Sequence, residues 1–165
     1  MIEYKPPVRP DYLDSTKFTI FLGGSIDMGR AENWQERLAT DLSDYDSDLI
    51  LLNPRRTDWD PTWPQDPTPG TNFNLQVSWE FLYQDQSDLN LYYFGDDSAA
   101  PISFLELGSY GTDSPKDTVV RCSPKFYRYG NVHLFCEKHG ITLTHTYEEC
   151  LTELRKRIDK EFYDV

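Results

Sequence analysis

Two glutamates stand inside otherwise apolar stretches of this 165-residue chain. Glu106 lies in Ile102-Ser103-Phe104-Leu105-Glu106-Leu107-Gly108, and Glu80 lies between Trp79 and Phe81. A carboxyl group among apolar neighbours is partly desolvated, and this suits it to attack an electrophile or to carry a proton. Plainer readings stand beside these. Glu106 could be an outward-facing helix residue favoured by the N-terminal dipole, and Glu80 a solvated position on its helix's other side. A third element is Gly23-Gly24-Ser25, followed by Gly29-Arg30. Its backbone N–H groups could cradle an anion or a sugar hydroxyl, or the segment could be a tight turn with no ligand. It matches neither a dinucleotide fingerprint nor a Walker loop, so no cofactor is expected. Cys122, Cys136 and Cys150 with His133, His139 and His145 have spacings that fit no zinc pattern; buried free thiols and no metal are expected.

These groups need elements to position them. Phe18 to Leu22 reads as a strand ending at Gly23-Gly24-Ser25, and the next helix carries Trp34, Leu38 and Leu42 on one face. Leu49 to Leu52 is a second strand. Arg55 to Thr71 is irregular, rich in proline, and holds Asp58, Trp59, Asp60 and Trp63. Its two tryptophans favour an ordered loop. A helix from Asn72 or Phe73 to Gln86 is expected to place Leu75, Trp79 and Leu82 along one side. Leu89 to Phe94 is a third strand, and Pro101 opens a helix through Ile102, Leu105 and Leu107. Thr118 to Arg121 makes a fourth strand. A short helix from about Val132 to His139 follows, with Asn131 as its N-cap and Gly140 as its stop. Ile141 to Thr144 is the fifth strand, and Thr146 to Glu149 is a capping box for a last helix with Leu151, Leu154, Ile158 and Phe162.

Strands alternating with helices predict a single α/β domain, residues 1–165. Its core would be a doubly wound, five-stranded parallel sheet, preceded by an extended segment over 1–17. Ligands in such folds sit beyond the carboxyl ends of the strands. The segments to watch are therefore Gly23 to Arg30, Asn53 to Trp63, Asp96 to Glu106 and Cys122 to Asn131.

Composition narrows the function classes. The 15% aromatic content argues against disorder. A net charge of -12 disfavours binding a nucleic acid polymer, yet leaves room for a small substrate in a local pocket. No apolar run has the length of a membrane span or the form of a secretion signal. The odd cysteine count suits a reducing compartment, so a cytoplasmic location is expected.

Four segments together resemble the nucleoside 2-deoxyribosyltransferase family and its relatives that hydrolyse deoxynucleoside 5′-monophosphates. They are Phe21-Leu22-Gly23-Gly24-Ser25-Ile26, Trp79-Glu80 with Ser87-Asp88, Leu105-Glu106-Leu107-Gly108, and Tyr129-Gly130-Asn131-Val132-His133. The resemblance implies a flavodoxin-like (Rossmann-like) fold and Glu106 as the nucleophile that attacks the anomeric carbon. A covalent deoxyribosyl ester then passes the sugar to a second base or to water. It also implies that Gly23, Gly24 and Ser25 line the substrate site and that Glu80 helps hold the nucleobase. Asn131 and His133 would reach a neighbouring subunit's sugar site in a homo-oligomer with shared pockets. The partners would be deoxynucleosides and free nucleobases.

Two departures from the family pattern matter. Phe21 stands where the transferases commonly carry a tyrosine that orients the nucleophile, leaving Tyr92, Tyr110 or Ser25 as possible donors. No aspartate stands just before Glu106, so Asp96, Asp97, Asp58 or Asp60 would contact the base. Alternatives to transfer are an N-glycosidase acting on a deoxynucleoside or its 5′-monophosphate, with Gly23, Gly24, Ser25 and Arg30 on the phosphate, or a non-catalytic nucleotide sensor.

Overall fold

The computed structural model describes residues 1–26, 32–45 and 47–162. Gly29 and Arg30, named above as anion ligands, lie outside the described residues. The strands are β1 (Ile2–Tyr4), β2 (Phe18–Gly24), β3 (Leu49–Leu52), β4 (Leu89–Phe94), β5 (Thr118–Cys122) and β6 (Thr142–Thr144). The helices are α1 (Trp34–Asp41), α2 (Asn72–Gln86), α3 (Pro101–Asp113), α4 (Tyr129–His139) and α5 (Tyr147–Phe162). All strands pair in parallel, in the order β1-β3-β2-β4-β5-β6.

Among the described residues the sheet thus has six strands, not five. The extra one, β1, adds to the edge beside β3, pairing Ile2 with Ile50 and Tyr4 with Leu52. Three residues inside a polar, proline-bearing segment are too few for a period-two pattern to show. Counted from β2, the remaining five strands run 2-1-3-4-5.

Side-chain alternation along the strands divides the core in two. Ile20, Leu22, Leu49, Leu51, Leu91 and Tyr93 pack against Trp34 and Leu38 of α1 and Leu154 and Ile158 of α5. On the opposite face, Phe21, Ile50 and Leu52 meet Trp79 and Tyr83 of α2. Tyr92, Phe94, Val120 and Cys122 there meet Leu107 of α3 and Val132 and Cys136 of α4. Among the described residues, no helix is long and apolar enough to cross a membrane.

Several elements differ from their sequence reading. The inner side of α2 carries Gln76, Trp79, Tyr83 and Gln84, while Leu75 is exposed. On α3, Ser103, Glu106, Leu107 and Gly111 face inward, and Ile102 and Leu105 face out. Apolar residues lie on both sides of these two helices, so hydrophobicity alone could not choose the inner face. Helix α4 begins at Tyr129, which puts Asn131 inside its first turn, not at the N-cap. The expected capping box does form: Glu149 N–H donates to Thr146 Oγ1 (3.1 Å), and Glu149 Oε2 accepts from Thr146 N–H (3.4 Å) as well as from His145 N–H (2.7 Å). All three cysteines are buried and free. Desolvation raises each thiol to about 12.

Candidate active site

The ends of β2 and β4 are locked together by their residue types. Gly23 pairs with Tyr92 and Gly24 with Tyr93. A Cβ on Gly23 would lie 2.9 Å from Cδ1 and Cε1 of the Tyr92 ring. Gly24 has φ +132°, and a Cβ there would collide with the backbone of Tyr93. Ser25 continues the clasp, donating its N–H to Tyr93 O (2.8 Å) and accepting from Gly95 N–H at its Oγ (2.9 Å). Gly23 is therefore a strand residue that admits the Tyr92 ring, Gly24 one that admits the Tyr93 backbone at a positive φ, and the hydroxyl of Ser25 is engaged.

Because Gly23 gives it room, the Tyr92 ring fills the space between the sheet and helices α2 and α3. Its hydroxyl donates to Gln84 Oε1 (2.7 Å), and Gln84 Nε2 donates to Glu106 Oε1 (2.9 Å). Glu106 is 6% exposed, on the second turn of α3. The four-residue spacing of α2 brings Gln76, Glu80 and Gln84 onto one side of that helix. Gln76 Nε2 donates to Glu80 Oε1 (2.8 Å) and to Pro54 O (2.9 Å), tying Glu80 to the end of β3. The Oε1 of Gln76 is buried and has no hydrogen-bond partner.

Both carboxyl groups are displaced far from their ordinary range. Burial first, and then the charge of Glu80, push Glu106 up to about 8, with the Gln84 bond opposing. Glu80 is partly exposed as a residue, but desolvation still drives it up to about 7 against the Gln76 bond. No ion pair reaches either carboxyl group among the described residues. The hydroxyl of Tyr92 is itself raised by burial and by Glu106, so it remains a proton donor at any working pH.

The other expected site residues are placed as follows. Asp58 is exposed and bound bidentately by Arg56, with both bonds at 2.8 Å. Arg56 also lies over the Trp63 ring, which meets Trp59 edge-on at 5.2 Å. Asp60 accepts from Thr62 in its own turn. Asp96 accepts from Ser123 Oγ (2.7 Å) and Arg121 (3.0 Å); burial works to raise it, yet these donors hold it below the usual range. Asn131 and His133 are exposed on α4. The Tyr129 hydroxyl lies 3.2 Å from His133 Nδ1 and 3.1 Å from His145 Nε2. At the N-terminus of α3, Ala100 holds φ 43° and no side chain caps the helix. Ser98 Oγ, two residues earlier, is buried without a partner.

Gln76, Gln84 and Tyr92 surround the two glutamates. Tyr92 stood among the possible donors to Glu106, but its hydroxyl donates to Gln84. Nothing in the sequence reading pointed to the glutamines; the available signal was polar residues at every fourth position of α2.

A family model described as nucleoside 2-deoxyribosyltransferase-like matches residues 17–126. The chain belongs to that family. No curated protein matches it. The match to the nucleoside 2-deoxyribosyltransferase-like family takes in Glu80, Gln84, Tyr92 and Glu106, and ends before Asn131 and His133.

Proposed function

We propose that the protein is a nucleoside 2-deoxyribosyltransferase, moving 2-deoxyribose between nucleobases through a deoxyribosyl ester on Glu106. The observation that carries this reading is a buried carboxyl group, held by an amide and, among the described residues, without a cation, inside the family match. Departure of the base develops positive charge at the anomeric carbon, and an ionised Glu106 stabilises that charge and bonds to the carbon. The base leaves with the bonding pair and takes a proton, for which a protonated Glu80 is the natural source. An incoming base then displaces Glu106, returning its N–H proton to Glu80, and the two inversions retain configuration. The 2-1-3-4-5 strand order supports a flavodoxin-like classification.

The chemistry requires one proton on the pair of glutamates, on Glu80, with Glu106 ionised. Values of about 7 for Glu80 and about 8 for Glu106 leave roughly one proton on the pair between them, resting mainly on Glu106 in the free protein, and substrate binding must move it to Glu80 before the attack. Incubation with a deoxynucleoside and a second free base, followed by chromatography, tests the proposal. A new nucleoside is expected. Binding without any cleavage would overturn it in favour of a sensor.

A second reading, cleavage of a 5′-monophosphate with water as acceptor, is favoured by the uncapped N-terminus of α3 and the unpartnered Ser98 hydroxyl. Free deoxyribose 5-phosphate in the same assay would select it.

The assembly we propose is a homo-oligomer in which Asn131 and His133 complete a neighbour's pocket. Phe81 on α2, Ile102 and Leu105 on α3 and Leu134 on α4 support it, being large apolar side chains left exposed. Inactive Glu106→Gln subunits mixed with inactive Asn131→Ala subunits should regain activity after exchange. No recovery from confirmed mixed oligomers would mean that each chain builds its own site.

A further inference from the structure

A carboxamide can turn either end toward a neighbour, and the two orientations have opposite electrostatic consequences. With its NH2 toward Glu106, Gln84 stabilises the ionised carboxylate. Flipped, its oxygen would face a carboxylate oxygen and oppose ionisation. The Tyr92 hydroxyl, kept protonated by burial, donates to Gln84 Oε1 and so engages the oxygen end. The NH2 end then reaches Glu106 at 2.9 Å and Glu80 O at 3.3 Å.

We infer that Gln84, with its amide orientation set by Tyr92, is the residue that positions Glu106 and favours its ionised form, and that Gly23 is glycine to admit the Tyr92 ring. The inference rests on reading Glu106 as the nucleophile. It assigns a role that Phe21, on β2, has no polar atom to fill.

The groups that face Glu106 leave little else for this task. Glu80 comes from α2, Tyr92 from β4 and Tyr110 from Glu106's own helix, and none is a cation. Among the described residues, Gln84 is the donor that opposes both the burial of Glu106 and the charge of Glu80. Both ends of its amide are engaged, whereas Gln76 has an oxygen to spare. Gln84 therefore serves the nucleophile and leaves base contacts to others.

The test compares Gln84→Met, Tyr92→Phe and Gly23→Ala with the wild type, using two readouts. The first is the pH profile of kcat/KM alongside separate kcat and KM. The second needs no turnover: carboxyl 13C NMR titration of Glu106 in a Glu80→Gln background. Gln84→Met removes the donor, so Glu106 should titrate at higher pH and the acid limb of the profile should move with it. The kcat should fall on the order of tenfold or more with KM little changed. Tyr92→Phe removes one hydroxyl, and Gly23→Ala displaces the ring. Both should move the titration in the same direction by less, and either can decide the matter if Gln84→Met fails to fold. An unmoved titration in the folded variants would overturn the inference. A moved titration in a protein that cleaves no nucleoside would uphold the electrostatic role of Gln84 and sink the nucleophile reading alone.

Discussion

The two helical layers use charge in opposite ways. Between α1 and α5, acids meet bases or phenols: Arg37 stacks on the Tyr147 ring at 3.6 Å and pairs with Glu148 at 3.3 Å. Arg155 pairs with Asp44 at 2.7 Å, and the hydroxyls of Tyr147 and Tyr45 donate to Asp41 and Asp159 at 2.6 Å. Helices α2 and α3 contain no lysine, arginine or histidine, so Glu80 and Glu106 meet amides and each other. A carboxylate neutralised by a cation is fixed in its charged form and serves the fold. One that meets amides alone keeps a proton affinity near neutrality and remains free to change state.

If that contrast is the basis of activity, the largest loss should follow from Glu106. Glu106→Gln keeps volume and still accepts from Gln84, but it is a far poorer nucleophile than a carboxylate. Turnover should fall by roughly a thousandfold or more with the fold retained, as read by initial rates and circular dichroism. Activity within tenfold of wild type would place the chemistry elsewhere.

Glu80→Gln should cost less, on the order of a hundredfold, and the cost should depend on the base. A base that leaves readily without protonation needs the acid least. The wild-type profile should be bell-shaped, falling below about pH 7 as both groups protonate and above about pH 8 as both ionise. In Glu80→Gln the alkaline limb should vanish while the acid limb remains. If both limbs persist unchanged, Glu80 is not the acid.

The parts of this arrangement differed in how openly the sequence carried them. The strand-and-helix alternation was plain in Phe18 to Leu22, Leu49 to Leu52 and Leu89 to Phe94, because buried parallel strands are continuous apolar runs. Glu106 and Glu80 stood out as carboxylates in apolar company. The inner faces of α2 and α3 did not, since exposed Phe81, Ile102 and Leu105 mask the helical period. The glycines after the first strand were visible, but their cause was not. It lies in the Tyr92 ring and the Tyr93 backbone, on a strand whose register only the folded sheet defines. The Gln84 bridge was hidden for the same reason, joining a helix, a strand and a second helix through side chains far apart in the chain.

The smallest effect concerns stability, and it sets the two layers against each other directly. Arg155→Ala removes a partly exposed pair worth about 1 kcal/mol or less. The Arg155 hydrogen bond holds Asp44 below its usual range, so this stabilisation is present above the unfolded pKa and lost in acid. The loss in Tm should therefore be alike at pH 5 and pH 8. Glu106 has the opposite sign. Its pKa is about 8 in the folded chain against an ordinary 4.5, so between those values the native state holds a proton that the unfolded state has released. Stability then declines as pH rises through that window, and Glu80, raised to about 7, adds to the decline. Glu106→Gln removes the Glu106 share of this decline. Relative to wild type, the variant should gain on the order of ten degrees in Tm at pH 8 over its difference at pH 5. Scanning both variants at the two pH values gives the comparison. An equal shift for Glu106→Gln at both would mean that its carboxyl titrates in the usual range, and the layers would then handle charge alike.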